Sequence, residues 1–316
     1  MNASIRKLLF GALVCSAGSA VAAPVGYSVN ADGVPGDALH VIELDSGTSV
    51  ERGTVQSAQG TFLDIEGMAF DASGQLWAVD DERLRLFPVG STGLVSQAEE
   101  RPLTGLGALA GNDFGMTFSC DGDLYLSSVA NQALYRVAMD GTATELGSLG
   151  QRISALAAYG KPARLYGLGN GLQDDQGTRD NRSLYEIDTQ TGATSLIGEL
   201  GPAAADYFEA GLAFASDGTL WALTDRRTAT QDLGSQVLQL DPATGSATLI
   251  ATTSVAGFES LAIAPPAGCS DDNDGGDPPP PGNDRWPQIP TLDVYGRLAA
   301  ILLLLIVGGT ALRGRS

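Results

Sequence analysis

Three observations point to one fold class: a strand-turn-strand unit repeated four times with a fifth start after them, no helical period of comparable length between residues 24 and 269, and two terminal part-units that complete each other. Together they predict an all-β chain, a five-bladed β-propeller closed by pairing of its N- and C-terminal strands. The units are GMAFDASGQLWAVD from Gly67, GMTFSCDGDLYLSS from Gly115, ALAAYGKPARLYGLG from Ala155, GLAFASDGTLWALTD from Gly211 and SLAIAPP from Ser260, at spacings of 48, 40, 56 and 49 residues. Each full unit opens on an apolar strand, turns tightly at Asp-Gly or an equivalent, and returns through a second strand of the Leu-Trp-Ala or Leu-Tyr type. A third strand and a hairpin follow, as in LYEIDTQTGATSLIG from Leu184 and VLQLDPATGSATLIA from Val237. That makes four antiparallel strands per blade.

The fifth unit stops at Pro265 after a single strand, and GYSVNAD, ALHVIELD and SVERGTV near the N-terminus supply the missing three. ALHVIELDSGTSVERG from Ala38 aligns in residue type with VLQLDPATGSATL from Val237. Closing the ring with one blade built from both ends removes two exposed sheet edges.

The flanks have other tasks. Arg6 and Lys7, the apolar run LLFGALVCSAG and the small-residue stretch SAVAAP predict a secretory signal peptide over residues 1–22, cut after Ala22. The propeller then occupies 23–269. Residues 270–288, SDDNDGGDPPPPGNDRWPQ, are acidic and Pro-rich with almost nothing to bury, which predicts a linker able to extend about 60 Å. After it come Ile289, Pro290, Thr291 and Leu292, an apolar stretch, and the basic end Arg313 and Arg315. As a helix, 294–312 would rise about 28 Å against a hydrocarbon core of roughly 30 Å, and the basic end predicts a cytoplasmic C-terminus.

Composition narrows the function. Among 316 residues, 37 are acidic and 18 basic, a formal charge of −19, which repels phosphate backbones and excludes nucleic acid as a partner. The one histidine, His40, excludes zinc sites built from several imidazoles; in its strand it reads as a surface or packed residue. No GxSxG elbow occurs, and GLGALA from Gly105 matches a dinucleotide fingerprint by letters alone, between strands rather than opening a helix.

In a propeller, residues just before each first strand and those after each second strand open on one face. The first set is Glu66, Asp113, Glu209 and Glu259, with Ser154 in the third blade; the second is Asp80, Asp81, Asn131, Asn170, Asp174, Asp175 and Asp225. Carboxylates and amides at this density suit Ca²⁺ or Mg²⁺, and Glu66, Asp113, Glu209, Glu259, Asp80 and Asp225 are the candidate metal ligands. The competing reading is that these acids cap strand ends and face water. Function is expected to be binding or interaction at the cell envelope. A hydrolase or lactonase using two mouth carboxylates as acid and base is the alternative, and a structural matrix role is the third. Cys120 and Cys269 each follow a first strand, in the second and fifth units, so both lie toward one rim in a compartment that permits disulfides; a bridge there would pin the end of the domain to the ring.

Two resemblances accompany these readings. DIEGMAFDASGQLWAVDDE and FEAGLAFASDGTLWALTD look like blades of extracellular propellers of the phytase-like and lactonase-like kind, a likeness of blade grammar that specifies little chemistry. The last 28 residues, from Ile289, resemble the IPTL-type C-terminal sorting signal of Gram-negative bacteria, a relative of the signals handled by exosortases; Tyr295 stands where Trp is usual. That resemblance implies a membrane-embedded sorting peptidase as partner, a membrane-held tail before processing, and delivery to the envelope or cell surface.

Overall fold

The computed structural model describes residues 24–31, 37–107, 113–172, 180–226 and 231–269. The expected signal peptide, the linker and the C-terminal tail lie outside them. Among the described residues no helix is long and apolar enough to cross a membrane.

Five antiparallel sheets form a ring. The first blade runs Ile65–Phe70, Leu76–Asp80, Arg85–Pro88, Arg101–Pro102 from axis to rim. The second runs Phe114–Phe118, Leu124–Ser128, Ala133–Val137, Ala143–Ser148. The third runs Ile153–Tyr159, Arg164–Gly169, Ser183–Ile187, Thr194–Glu199. The fourth runs Glu209–Phe214, Leu220–Asp225, Gln236–Leu240, Ala247–Thr252. The fifth takes its three outer strands, Val25–Val29, Ala38–Glu43 and Thr48–Thr54, from the N-terminus. Its innermost position is filled from the other end of the domain: the Tyr27 N–H donates to the Ala262 carbonyl at 2.7 Å, and the Ala262 N–H donates to the Tyr27 carbonyl at 2.9 Å.

Two details depart from four regular strands per blade. The outer strand of the first blade is reduced to Arg101–Pro102 behind a 3-10 turn at Gln97–Glu99. Pro88 and Pro102 explain this, because neither can donate to a ladder. The innermost segment of the fifth blade pairs only through isolated bridges, Tyr27 with Ala262 and Asn30 with Phe258.

The core follows from the ring. Five apolar layers form, one between each pair of neighbouring blades, and the inner strands of the first, third and fourth blades contribute to the layers on both their sides. Burial on both faces is why these strands read as nearly continuous apolar runs. Near the axis the strands approach too closely for side chains. A Cβ placed on Gly211 would lie 2.2 Å from the Ser260 carbonyl carbon and the Leu261 nitrogen, and one on Gly115 would lie 2.8 Å from Ala155 Cα. The glycine that opens three of the repeat units is therefore a packing requirement.

This crowding leaves only small spaces on the axis. A cavity of about 10 Å³, room for about one water, lies among Glu66, Gly115, Ser154, Gly211 and Ser260. A second, of about 30 Å³ and lined by Phe70, Phe118 and Phe214, lies toward the opposite face. There the chain from Ile263 to Ala267 borders the cavity, anchored by the Gly160 N–H donating to the Ala267 carbonyl at 2.9 Å. Just beyond, Cys269 is joined to Cys120 with a Cα separation of 5.2 Å.

Candidate functional site

The site sits where the inner strands begin. Asp113 precedes Phe114–Phe118, Glu209 is the first residue of Glu209–Phe214, and Glu259 lies in the closing segment between the bridges at Phe258 and Ala262. Glu66 reaches the same ring by a different device. In the ladder of the first blade Ile65 pairs with Asp80 and Gly67 with Val79, so Glu66 is the extra residue of a β-bulge. Ser154 occupies the matching bulge of the third blade, between Ile153 paired with Gly169 and Ala155 paired with Leu168. A bulge re-aims one side chain without shifting the rest of the strand, so five blades present five polar groups to one mouth although their acids are offset in sequence.

Two groups of carboxylates result, with ligand oxygens within 4.8 Å of one another: Glu66, Asp113 and Glu209, and Asp64, Glu66 and Glu259. Glu66 belongs to both. Asp64 escaped the sequence reading, which took the residue just before each inner strand and those in the loop after each second strand; the signal was its place two residues ahead of Glu66. Asp81, beside Asp64, lies at the same opening.

The other expected ligands do different work. Asp80 is fully buried; its Oδ1 accepts the Arg83 N–H at 2.7 Å and its Oδ2 accepts the Asp64 N–H at 3.4 Å, so it ties the loop after the second strand to the segment carrying the site. Asp225 Oδ1 accepts the Gly257 N–H at 3.1 Å, two residues before Glu259. Neither belongs to the two groups above, and the strand-capping reading holds for both because backbone amides claim their oxygens. Asn131 donates to the Leu106 carbonyl at 2.7 Å and also serves its loop. Asn170 joins the mouth: it donates to Asp113 Oδ2 at 3.3 Å and accepts from Arg152 Nε at 3.2 Å, linking the Arg152 guanidinium to the acidic cluster. Asp174 and Asp175 lie outside the described residues. His40 is packed edge-on against Phe258 at 5.1 Å, and burial lowers its pKa.

Electrostatics mark the cluster as unable to carry its full charge alone. Glu66, 6% exposed, is pushed well above the carboxylate range, first by burial and then by the charges of Glu209, Glu259 and Asp113. Glu209 is pushed up by burial and by Asp113. Asp113 rises to about 6 through burial, held back by Glu209 and Arg152, and Asp81 rises to about 8 through burial and the charge of Asp64. Asp80 is raised by burial, against its backbone hydrogen bonds.

No family model matches the chain, and no curated protein matches it. Solved structures do. The chain is similar to virginiamycin B lyase from Staphylococcus aureus at 16% identity over 72% of this chain and 69% of that one, with a TM-score of 0.40. It is similar to a protein of unknown function from Bacteroides caccae at 12% identity over 77% and 99%, TM-score 0.43, and to a chain of the nidogen/laminin complex at 14% identity over 76% and 81%, TM-score 0.46. These are likenesses of fold, and they carry no residue or activity to this chain.

The chemistry open to the mouth therefore follows from its own groups. Carboxylates so close and so buried must either share protons or hold cations. A carboxyl that keeps its proton near neutral pH, beside one that does not, also meets the requirement for an acid and base pair.

Proposed function

We propose that this chain is an exported propeller that binds its ligand at the channel mouth, where Glu66, Asp113, Glu209, Glu259 and Asp64 hold divalent cation. The observation that carries this reading is the convergence of acids from four of five blades into two groups with oxygens within 4.8 Å of one another. Calcium fits better than magnesium. Ca–O bonds of about 2.4 Å put opposed ligand oxygens about 4.8 Å apart, and Ca²⁺ accepts several carboxylates in irregular geometry, whereas Mg²⁺ keeps most of its water.

Calorimetry tests it. With calcium at about 100 times its dissociation constant, the domain gains about 2.7 kcal/mol over the chelated protein, so its melting temperature rises by roughly 5–10 °C. An unchanged melting temperature removes the cation and leaves a propeller whose acids only cap strands.

The same proposal has the propeller carried on the linker 270–288 and delivered by the tail 289–316. Its support is the order of parts, motif then apolar run then basic end. Intact mass of the protein from its native host is expected to lack the apolar segment; a retained segment shows an ordinary anchor instead.

A further inference from the structure

Resting on the reading above, we infer that the mouth holds two divalent cations, bridged by the carboxylate of Glu66. The two ligand groups share that residue and no other: Asp64 and Glu259 complete one, Asp113 and Glu209 the other. A carboxylate has two oxygens, and one given to each group lets Glu66 serve both. Its place in the bulge frees its side chain from the ladder, and its carboxylate meets Asp64 of its own blade as well as acids of the second, fourth and fifth.

Charge decides between one ion and two. With Asp81, which feels the charges of Asp64 and Asp113, six carboxylates converge here, and Arg152 supplies positive charge to Asp113, reaching it through Asn170. Two divalent cations and one guanidinium come within one charge of balancing six carboxylates, whereas a single cation leaves three negative charges uncompensated in a buried space.

A second observation points to a ligand independently of the acids. Ser154 stands at the third blade's position in the ring, is 3% exposed, and its Oγ has no hydrogen-bond partner among the described residues. It borders the same cavity of about 10 Å³ as Glu66. A buried hydroxyl is normally satisfied, so an oxygen facing that space is expected to meet a bound ion or its water.

The test is calcium titration of the chelator-stripped protein by isothermal calorimetry. Two equivalents are expected for the wild type. Glu66→Gln, nearly isosteric, is expected to weaken binding of both ions by at least about 100-fold, whereas Asp64→Asn and Asp113→Asn each leave one equivalent. A single equivalent in the wild type, or two retained in Glu66→Gln, overturns the bridge while the cation reading stands. No binding by the wild type overturns both. The wild-type stoichiometry decides even if a variant fails to fold.

Discussion

Removing residues 26–55 is expected to abolish soluble, cooperative folding. The segment is the outer three-quarters of the closing blade, and nothing else in the ring can replace it. It carries Val29, Leu39, Ile42, Leu44 and Val55, each fully buried, in the two apolar layers that flank that blade. At about 1.5–3 kcal/mol per buried aliphatic side chain, their loss is on the order of 10 kcal/mol, comparable to the whole stability of a typical domain. The truncation also strips Ala262 of the strand that satisfies its amide and carbonyl, and leaves the fourth blade's outward layer facing water. Size-exclusion chromatography and near-ultraviolet circular dichroism check the outcome. A monomer that still melts in one sharp transition would show that four blades close without the N-terminus. A milder probe is Tyr27→Pro, which deletes the donor to Ala262 and should lower stability without destroying the fold.

The parts legible in the sequence are those set by period. The unit beginning GMAF, GMTF and GLAF returns because each inner strand meets the same two neighbours, and its glycine returns because no Cβ fits between them. Closure was legible because a propeller cannot leave a single strand unpaired, so the lone SLAIAPP had to find partners elsewhere. What stayed hidden is set by individual atoms. Asp80 and Asp225 stand at the expected positions, yet whether an acid offers its oxygens to a cation or to a backbone amide depends on where Arg83 and Gly257 place their N–H groups. No residue type signals that. The bulges at Glu66 and Ser154 were hidden for a related reason: a single extra residue leaves the apolar pattern intact and is visible only in the pairing register. Acidity itself could be localised. Residues 24–269 hold 31 acidic and 12 basic side chains, which accounts for the whole formal charge of −19.

In the presence of chelator, the propeller is expected to lose stability as pH rises from about 4 to about 8, the reverse of the usual response of a protein rich in carboxylates. In the unfolded chain an aspartate titrates near 3.9 and a glutamate near 4.3. In the folded mouth Asp113 is raised to about 6 and Asp81 to about 8, with Glu66 and Glu209 raised as well. The folded state therefore binds more protons than the unfolded state throughout that interval. Stability from these groups is complete below the unfolded values and disappears as pH passes the folded ones. A rise from 3.8 to about 6 at Asp113 alone corresponds to about 3 kcal/mol, and roughly 6–12 °C in melting temperature for a domain of this size. Asp81, more open to solvent, adds less than its shift implies. Calcium opposes the loss by supplying the positive charge that protons supply at low pH, so its stabilising effect should be larger at pH 8 than at pH 5. Glu66→Gln separates this account from a general effect of net charge. It places a neutral side chain where the wild type must either carry a buried charge or hold a proton that the unfolded chain would release, so in chelator at pH 8 it should melt higher than the wild type and gain little from calcium. Melting curves of both proteins at pH 5 and pH 8, with chelator and with calcium, provide the measurement. If the chelated wild type were most stable near pH 8, or if Glu66→Gln were destabilised at both pH values, the mouth would hold no excess charge awaiting a cation.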